Sequence, residues 1–272
     1  MTDVFIGRNP NLPGANTTAP ANQTSYADAP EVRERLVKDA QALIARYPQP
    51  RSALLPLLHL VQSEEGYVTG DGVQFCAEML GLSTAEVSAV STFYSMYKNK
   101  PVGDYHVGVC TNTLCAVMGG DEIFATLKAH LAVGNDERTS ESQGERTLTL
   151  EHIECNAACD FAPVMMVNWE FFDNMTPTTA VKLVDDLLAG HEVTPSRGPS
   201  LCSFKQTERI LAGFEDERPD AVDAGGPAGP ATLEGLRLAR QEELTAGDQG
   251  SNGGVNGQGS NGQGSNGHGA EA

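Results

Sequence analysis

Four of the six cysteines lie in two close pairs whose spacing is suited to holding an inorganic redox centre. Four residues separate Cys110 from Cys115. Three residues separate Cys155 from Cys159, and 39 residues lie between the pairs. Each iron of a [2Fe–2S] cluster takes two cysteine sulfurs, so these four site cysteines supply a complete ligand set. Small and polar residues inside both pairs let backbone N–H groups hydrogen-bond the sulfurs, which tunes the reduction potential.

The spacing alone leaves other uses of the cysteines open. Structural zinc also takes four thiolates, although its usual knuckle is the tighter C-x₂-C. Two disulfides would need an oxidising compartment, and the sequence contains no C-x-x-C of the redox-dithiol type. The remaining two cysteines are predicted to be ordinary thiols. Cys76 lies on an apolar helical face, and Cys202 has no thiol neighbour in the sequence.

Charge and hydropathy exclude several classes of function. The 272 residues include 18 Lys and Arg against 36 Asp and Glu, a net charge of −18. Such an acidic chain is a poor match for nucleic acid or for an anionic membrane surface. We find no apolar run of bilayer-spanning length and no secretory signal. We therefore expect a cytoplasmic chain, in which reducing conditions favour metal ligation by cysteine over disulfides.

Composition divides the chain into five parts. Residues 1–28 are predicted to be a flexible arm, and residues 225–272 a disordered tail that ends in Gly/Asn/Ser/Gln-rich repeats. Between them we expect a small helical bundle at 29–100 and an α/β domain with the four site cysteines at 101–192. An extension with one short helix follows at 193–224.

In the first half, apolar residues recur with helical spacing. This periodicity predicts helices over residues 31–46, 52–64 and 72–80. A Ser83–Glu86 capping box opens a fourth helix that is predicted to run toward Met96. Four short helices joined by short turns favour a bundle.

In the second half, the pattern changes to that of a sheet covered by helices. We predict strands over 105–109 and 147–153, a helix over 121–131 and a hairpin that turns at Asn168–Trp169. Thr176 caps a last helix. The order β-α-β-β-β-α indicates an α/β sandwich. Because each cysteine pair begins where a strand ends, both pairs are expected on loops at strand ends, where they can converge.

Beyond the cysteine spacing, the sequence resembles the thioredoxin-like [2Fe–2S] ferredoxin family. The resemblance spans about residues 30–192 and is carried by Val109–Cys115, Glu154–Asn168, Ala53–Leu60, Gly66–Val68 and Ser91–Tyr97. It implies an α+β chain in which a small helical bundle precedes a thioredoxin-like α/β domain that holds one cluster. The residues to which it assigns the iron-ligand role are Cys110, Cys115, Cys155 and Cys159.

More narrowly, the chain is similar to the family members that serve as the E-subunit of bacterial NADH-quinone oxidoreductases, the respiratory complex I. This implies an electron carrier that is enzymatic only as part of the complex and has no substrate site of its own. NADH and FMN would be bound by a partner flavoprotein, which passes one electron to this cluster as a side reservoir. No G-x-G-x-x-G nucleotide motif follows a strand here.

The same resemblance implies contacts with the flavoprotein and with other proteins of the peripheral arm, on the cytoplasmic face of the membrane. Two alternatives remain. One is the same role in an NAD-linked hydrogenase or formate dehydrogenase. The other is a zinc-stabilised interaction module without redox chemistry.

Two segments are candidates for contact with partner proteins. The aromatic stretch with Phe93, Tyr94, Met96 and Tyr97 is interpreted either as a docking face or as core. Residues 201–214 form an apolar, slightly basic segment that is expected to be a short helix ended by Gly213. We predict that it docks on a partner protein of the arm; the alternative is that it packs on its own domain.

The sequence also suggests roles for charged and titratable residues near the cysteines. Glu154 and Asp160 flank the second pair and are hypothesised to lower the reduction potential, because reduction adds negative charge to an anionic centre. His106 and His152 lie in predicted strands and are interpreted as structural histidines rather than ligands.

Overall fold

The computed structural model describes residues 29–221 and 233–241. The predicted flexible arm, 1–28, lies outside the described residues. The helices of the first half are α1 (Pro30–Ile44), α2 (Leu54–Glu65), α3 (Gly70–Leu80) and α4 (Thr84–Phe93). They pack around one apolar core, as the sequence predicts. A 3₁₀ turn at Pro50–Ala53 leads into α2.

Local side-chain chemistry sets the helix ends. The predicted Ser83–Glu86 capping box is present and opens α4. This helix ends at Phe93, earlier than the predicted Met96, because the chain becomes extended at the next residue. Tyr97 then turns into the core, 5% exposed, and its hydroxyl donates to the Leu55 carbonyl at 3.0 Å.

Cys76 is part of the bundle core. Its side chain is fully buried beside Phe75, in the cluster that α1, α2 and α3 enclose. Burial raises the pKa of its thiol to about 12, so the group stays protonated and packs as a small apolar side chain. The sequence interpretation of Cys76 is confirmed.

The second half folds around a five-stranded mixed sheet. Its elements are β1 (Tyr105–Cys110), α5 (Thr113–Val117), α6 (Gly120–Leu131), β2 (Glu137–Arg138), β3 (Leu148–Ile153), β4 (Met165–Val167), β5 (Glu170–Phe172) and α7 (Pro177–Leu188). The strand order is β2-β3-β1-β4-β5, with β1 and β3 parallel and the other neighbours antiparallel. This arrangement confirms the predicted sheet. The two-residue β2 and the five-residue α5 were not predicted, since neither is long enough to show a period.

Side-chain alternation along the strands gives the sheet two different faces. Val107 and Val109 point to the face where α6 and α7 pack, and both are fully buried there. His106 lies on the opposite face, with its ring 5.0 Å from that of Trp169 and 6.3 Å from that of Phe204. The predicted hairpin turn is present at Asn168–Trp169, where both residues adopt positive φ.

The extension after the sheet packs back on the helical bundle through α8 (Phe204–Leu211). Glu208 is fully buried, and its carboxylate lies 2.6 Å from the His59 ring on α2. Arg209 pairs with Asp39 at 2.9 Å. Of the two alternatives for residues 201–214, the structure therefore shows packing on the chain's own domain, with Phe204, Thr207 and Glu208 of α8 buried. The predicted helix itself is confirmed.

The predicted disorder of residues 225–272 does not hold for 233–241. These nine residues form an exposed helix in a unit separate from the rest of the chain. Arg237 supports the helix by donating to Glu234 at 2.8 Å and to Gln241 at 3.2 Å. The rest of the predicted tail lies outside the described residues. Within the described ranges, no helix is long and apolar enough to cross a membrane.

Candidate metal centre

Strand register brings the two cysteine pairs to one edge of the sheet. β1 and β3 run parallel, with Cys110 opposite Ile153 at their ends. Cys155 follows Ile153 by two residues, so both pairs leave the sheet side by side. Carboxyl ends of adjacent parallel strands meet at the same edge, which is why residues far apart in sequence converge here.

The first pair is buried beneath the surface. Cys110 is the last residue of β1, and its N–H donates to the Val164 carbonyl at 3.1 Å. Cys115 lies in the short helix α5, and its thiol accepts a hydrogen bond from the backbone N–H of Val164. The loop between β3 and β4 thus contacts both sulfur-bearing residues of the first pair.

Gly120 is a site residue that the sequence interpretation missed. A Cβ at this position would lie 2.4 Å from the Cys110 carbonyl oxygen and 2.9 Å from that of Cys115. Only glycine therefore lets α6 begin directly behind the first pair. The Gly119–Gly120 doublet was the available signal, because two glycines at a helix start indicate close backbone approach.

The second pair is exposed to solvent. The sulfurs of Cys155 and Cys159 are 3.7 Å apart, and both residues are exposed. Between them Ala157 adopts a left-handed conformation, φ 54°, which directs its N–H to the Cys155 sulfur at 3.4 Å. A short 3₁₀ turn, Cys159–Phe161, ends the loop.

Asn112 links the loops of the two pairs. Its side-chain amide donates to the Ile153 carbonyl at 2.9 Å and approaches the Cys110 sulfur at 3.9 Å. One side chain of the first loop thereby holds the end of β3, from which the second pair follows.

Apolar side chains form the floor of the site. Ala158 and Val164 are buried together with the first cysteine pair. Four partly buried side chains pack against this cluster, namely Ile153, Phe161, Ala162 and Phe171. We call these eight residues the apolar floor. It shields the inner side of the site from water, whereas the second cysteine pair keeps the outer side accessible.

Burial and the neighbouring sulfurs both disfavour the anionic forms of the site cysteines. Burial raises the pKa of Cys115 to about 11, and the neighbouring Cys110 and Cys159 add to the effect. The pKa of Cys159 is also raised, first by its hydrogen bond with Cys155 and then by the charge of that group. A cationic centre reverses this balance, because metal ions stabilise bound thiolates.

The donor set fits a two-iron cluster. All six cysteines of the chain are free thiols. In the described residues, no three His, Cys, Asp or Glu side chains are arranged around a single metal-ion position. The site instead presents four sulfur donors as two pairs, joined by a common apolar floor and backed by N–H donors. This is the ligand chemistry that a [2Fe–2S] cluster takes.

The two histidines that the sequence assigns to structural roles contact side chains other than the four site cysteines. His106 is fully buried, and its Nε2 lies 2.6 Å from the Glu151 carboxylate, which also pairs with Lys98. His152 is exposed and packs edge-on against Phe124, with the rings 5.8 Å apart.

Three further side chains received roles from the sequence. Glu154 and Asp160, next to the second pair in sequence, are both exposed, and their effect on the reduction potential stays a prediction. Cys202 is half-buried in the extension, where its thiol lies 3.2 Å from the Thr207 hydroxyl.

Exposed apolar side chains occur in two places that bear on partner contacts. One place is α5 and the residue just after it, beside the cysteines. We call its exposed apolar side chains the α5 patch: Leu114, Val117, which is 79% exposed, and Met118. At the end of α4, Phe93 is 78% exposed and Tyr94 is also exposed, while Tyr97 belongs to the core. The core interpretation is thus confirmed for Tyr97, whereas docking through Phe93 and Tyr94 stays a prediction.

Comparison with known proteins gives the following similarities. The family model for thioredoxin-like [2Fe–2S] ferredoxins matches residues 40–188. The NADH-quinone oxidoreductase E-subunits from Mycobacterium bovis and Mycobacterium tuberculosis are each 60% identical over 217 residues, which cover 80% of this chain and 84% of the relative. The protein of the same name from Rickettsia bellii is 36% identical over 151 residues, or 54% of this chain and 88% of the relative.

Among solved structures, an NAD+-reducing [NiFe]-hydrogenase in the air-oxidized state matches with a TM-score of 0.42 and 18% identity. The match covers 49% of this chain and 22% of the hydrogenase chain. This similarity is too low for any comparison of sites.

Proposed function

The chain belongs to the thioredoxin-like [2Fe–2S] ferredoxin family, and we propose that it carries electrons as the E-subunit of an NADH-quinone oxidoreductase. We further propose that the four site cysteines hold one [2Fe–2S] cluster. The observation that carries this proposal is the parallel register of β1 and β3, which places both cysteine pairs at one sheet edge. Identity of 60% over 217 residues to proteins of that name supports the assembly.

Different residues of this chain would hold the cluster, hydrogen-bond its ligands and exclude water. A bound [2Fe–2S] cluster supplies one-electron redox chemistry. The two cysteine pairs hold the irons, and the N–H groups of Ala157 and Val164 stabilise the thiolates by hydrogen bonds. The apolar floor excludes water from the inner side. Cys155 and Cys159 lie on the exposed side, where an electron donor can approach closely.

We propose that the electron donor is a flavoprotein of the complex that binds NADH and FMN. Its contact surface on this chain would include the α5 patch, because these exposed apolar side chains directly adjoin Cys115. The chain itself would then lie in the peripheral arm, at the cytoplasmic face of the membrane, held there by the complex.

Spectroscopy on the full chain tests the cluster assignment. The purified protein should show visible absorption that bleaches with dithionite and a reduced-state EPR signal; a colourless, EPR-silent protein with bound zinc would refute the proposal. Cys110→Ala should abolish the signal while the circular dichroism of the fold is retained. Cys202→Ala is the matched control, since this thiol lies in the extension, and it should leave the spectrum unchanged.

A further inference from the structure

The extension reaches the cysteine site before it continues to α8. Residues 193–221 lie beyond the family match at 40–188. Ser196 donates its N–H to the Phe171 carbonyl at 2.8 Å, and Arg197 forms an antiparallel bridge with Phe171. The segment therefore adds to the sheet beside β5, at a residue of the apolar floor.

Arg197 stacks on two aromatic rings of that floor. Its guanidinium carbon lies 4.2 Å from the centre of the Phe171 ring and 5.0 Å from that of Phe161. Phe161 ends the 3₁₀ turn that Cys159 begins. A guanidinium over an aromatic face is attracted by the electrostatic field of the ring, so Arg197 holds Phe161 against the floor from outside.

Hydrogen bonds connect the same guanidinium to the backbone that supports the turn. Arg197 pairs with Asp173 at 3.0 Å, and the Asp173 N–H donates to the Ser196 hydroxyl at 2.9 Å. The next residue, Asn174, donates its N–H to the Phe161 carbonyl at 2.8 Å. Arg197 thus supports the second cysteine pair in two ways. It stacks on the Phe161 ring, and it pairs with Asp173, next to the residue that hydrogen-bonds the Phe161 carbonyl.

We propose that Arg197 is a positioning residue for the cluster, supplied by the extension. It keeps the Cys155–Cys159 loop in its ligating conformation and neutralises the Asp173 carboxylate behind that loop. Because reduction adds negative charge to the site, loss of Arg197 would leave Asp173 unbalanced and disfavour the reduced state. The inference rests on the proposed function and deepens it, since it assigns part of the cluster site to residues outside the family match.

The chain contains a matched control for this residue. Arg209, also in the extension, has its guanidinium 3.9 Å from the Phe214 ring and 2.9 Å from Asp39. It therefore makes the same two kinds of contact as Arg197, but on the helical bundle. Arg209→Gln removes an equivalent charge and stacking contact at a place remote from the apolar floor.

The first measurement uses the full chain without cluster. In Arg197→Gln, amide hydrogen exchange should accelerate at Phe161 and Asn174, whose N–H groups bond within or to the turn, while the bundle keeps its protection. In Arg209→Gln, exchange at these two amides should match that of the unmodified chain. Loss of protection throughout the Arg197→Gln chain would show a general stabilising role and overturn the proposal.

The second measurement uses the chain loaded with cluster. Arg197→Gln should lose visible absorption to an iron chelator about tenfold faster, the usual scale for loss of an outer contact, and its midpoint potential should fall. Arg197→Lys should restore the potential but only part of the retention, because it keeps the charge without the flat guanidinium. Equal rates and potentials in Arg197→Gln and Arg209→Gln would refute the inference. Absence of a [2Fe–2S] spectrum in the unmodified chain would instead refute the proposed function.

Discussion

The side chain of Asn112 donates to the backbone carbonyl of Ile153 at 2.9 Å, and this bond joins the two loops of the candidate site. Asn112 lies within the first cysteine pair, and Ile153 ends the strand that leads to the second. The contact holds the first loop against the end of β3. Its removal should therefore weaken cluster retention without changing any ligand.

Replacing Asn112 with Ala is expected to accelerate loss of the cluster. Outer contacts of this kind change metal affinity by about tenfold or more. The rate is measured as decay of visible absorption after addition of a chelator. Asn135→Ala is the matched control, because the Asn135 amide oxygen accepts from the His152 N–H at 2.9 Å on the same strand. Equal decay rates in both variants would contradict the role of Asn112.

Gly120→Ala is expected to prevent assembly of the first ligand pair. The new Cβ would lie 2.4 Å from the Cys110 carbonyl oxygen, so α6 or the cysteine loop must shift. Iron content and the reduced-state EPR signal should both fall strongly. Gly70→Ala serves as the control, since Gly70 also starts a helix but a Cβ there meets nothing within 4 Å. Full iron content in the Gly120 variant would refute the steric argument.

Glu151 is expected to contribute stability that depends on pH. Burial acts to raise the pKa of this carboxyl, but the His106 hydrogen bond and the charge of Lys98 outweigh it and lower the pKa to about 2. The unfolded value is about 4.3, so the contribution is complete above about pH 4.3 and is lost as the pH falls toward 2.

Glu151→Gln should therefore lower the free energy of unfolding at pH 7 by about 3 kcal/mol, since the buried Lys98 loses its counter-charge. Denaturant titrations between pH 7 and pH 2 measure the effect, and the variant should show a shallower decline with acid. Glu141→Gln, whose carboxylate is 81% exposed, should behave like the unmodified chain. An unchanged pH profile for Glu151→Gln would contradict the assignment.

Neutralising Glu154 and Asp160 together is expected to raise the midpoint potential of the cluster. Both carboxylates flank the second cysteine pair, and removing negative charge favours reduction. Because both are exposed, the increase should be small and should shrink further at high salt. A redox titration of the Glu154→Gln/Asp160→Asn chain at two ionic strengths tests this; an unchanged potential at low salt would refute it.

The α5 patch is expected to be the contact surface for the flavoprotein. Val117→Glu would place a charge in an apolar interface and should reduce co-purification of this chain with the complex at least tenfold, since a buried unpaired charge costs well over about 1.4 kcal/mol. Phe93→Glu, at an equally exposed position on α4, is the control. A stronger effect of Phe93→Glu would instead identify the end of α4 as the docking face.

Much of the fold could be predicted because its signals are local. The Ser83–Glu86 capping box and the Asn168–Trp169 turn are encoded by a few adjacent residues, and both occur as predicted. Helix α4 ends at Phe93 and Tyr97 beyond it enters the core, a placement that no local pattern shows. The helix at 233–241 was not predicted, because the Gly-rich sequence around it indicates disorder.

For the site, the sequence by itself determined the candidate donors: four thiols in two pairs, each pair placed after a strand. The tertiary structure alone decided what surrounds them. Gly120 behind the first pair, Asn112 between the loops and Arg197 over Phe161 all depend on contacts between distant parts of the chain. Ligand identity is a property of side-chain types and local spacing, whereas support for the ligands depends on packing and strand register, which exist only once the chain has folded.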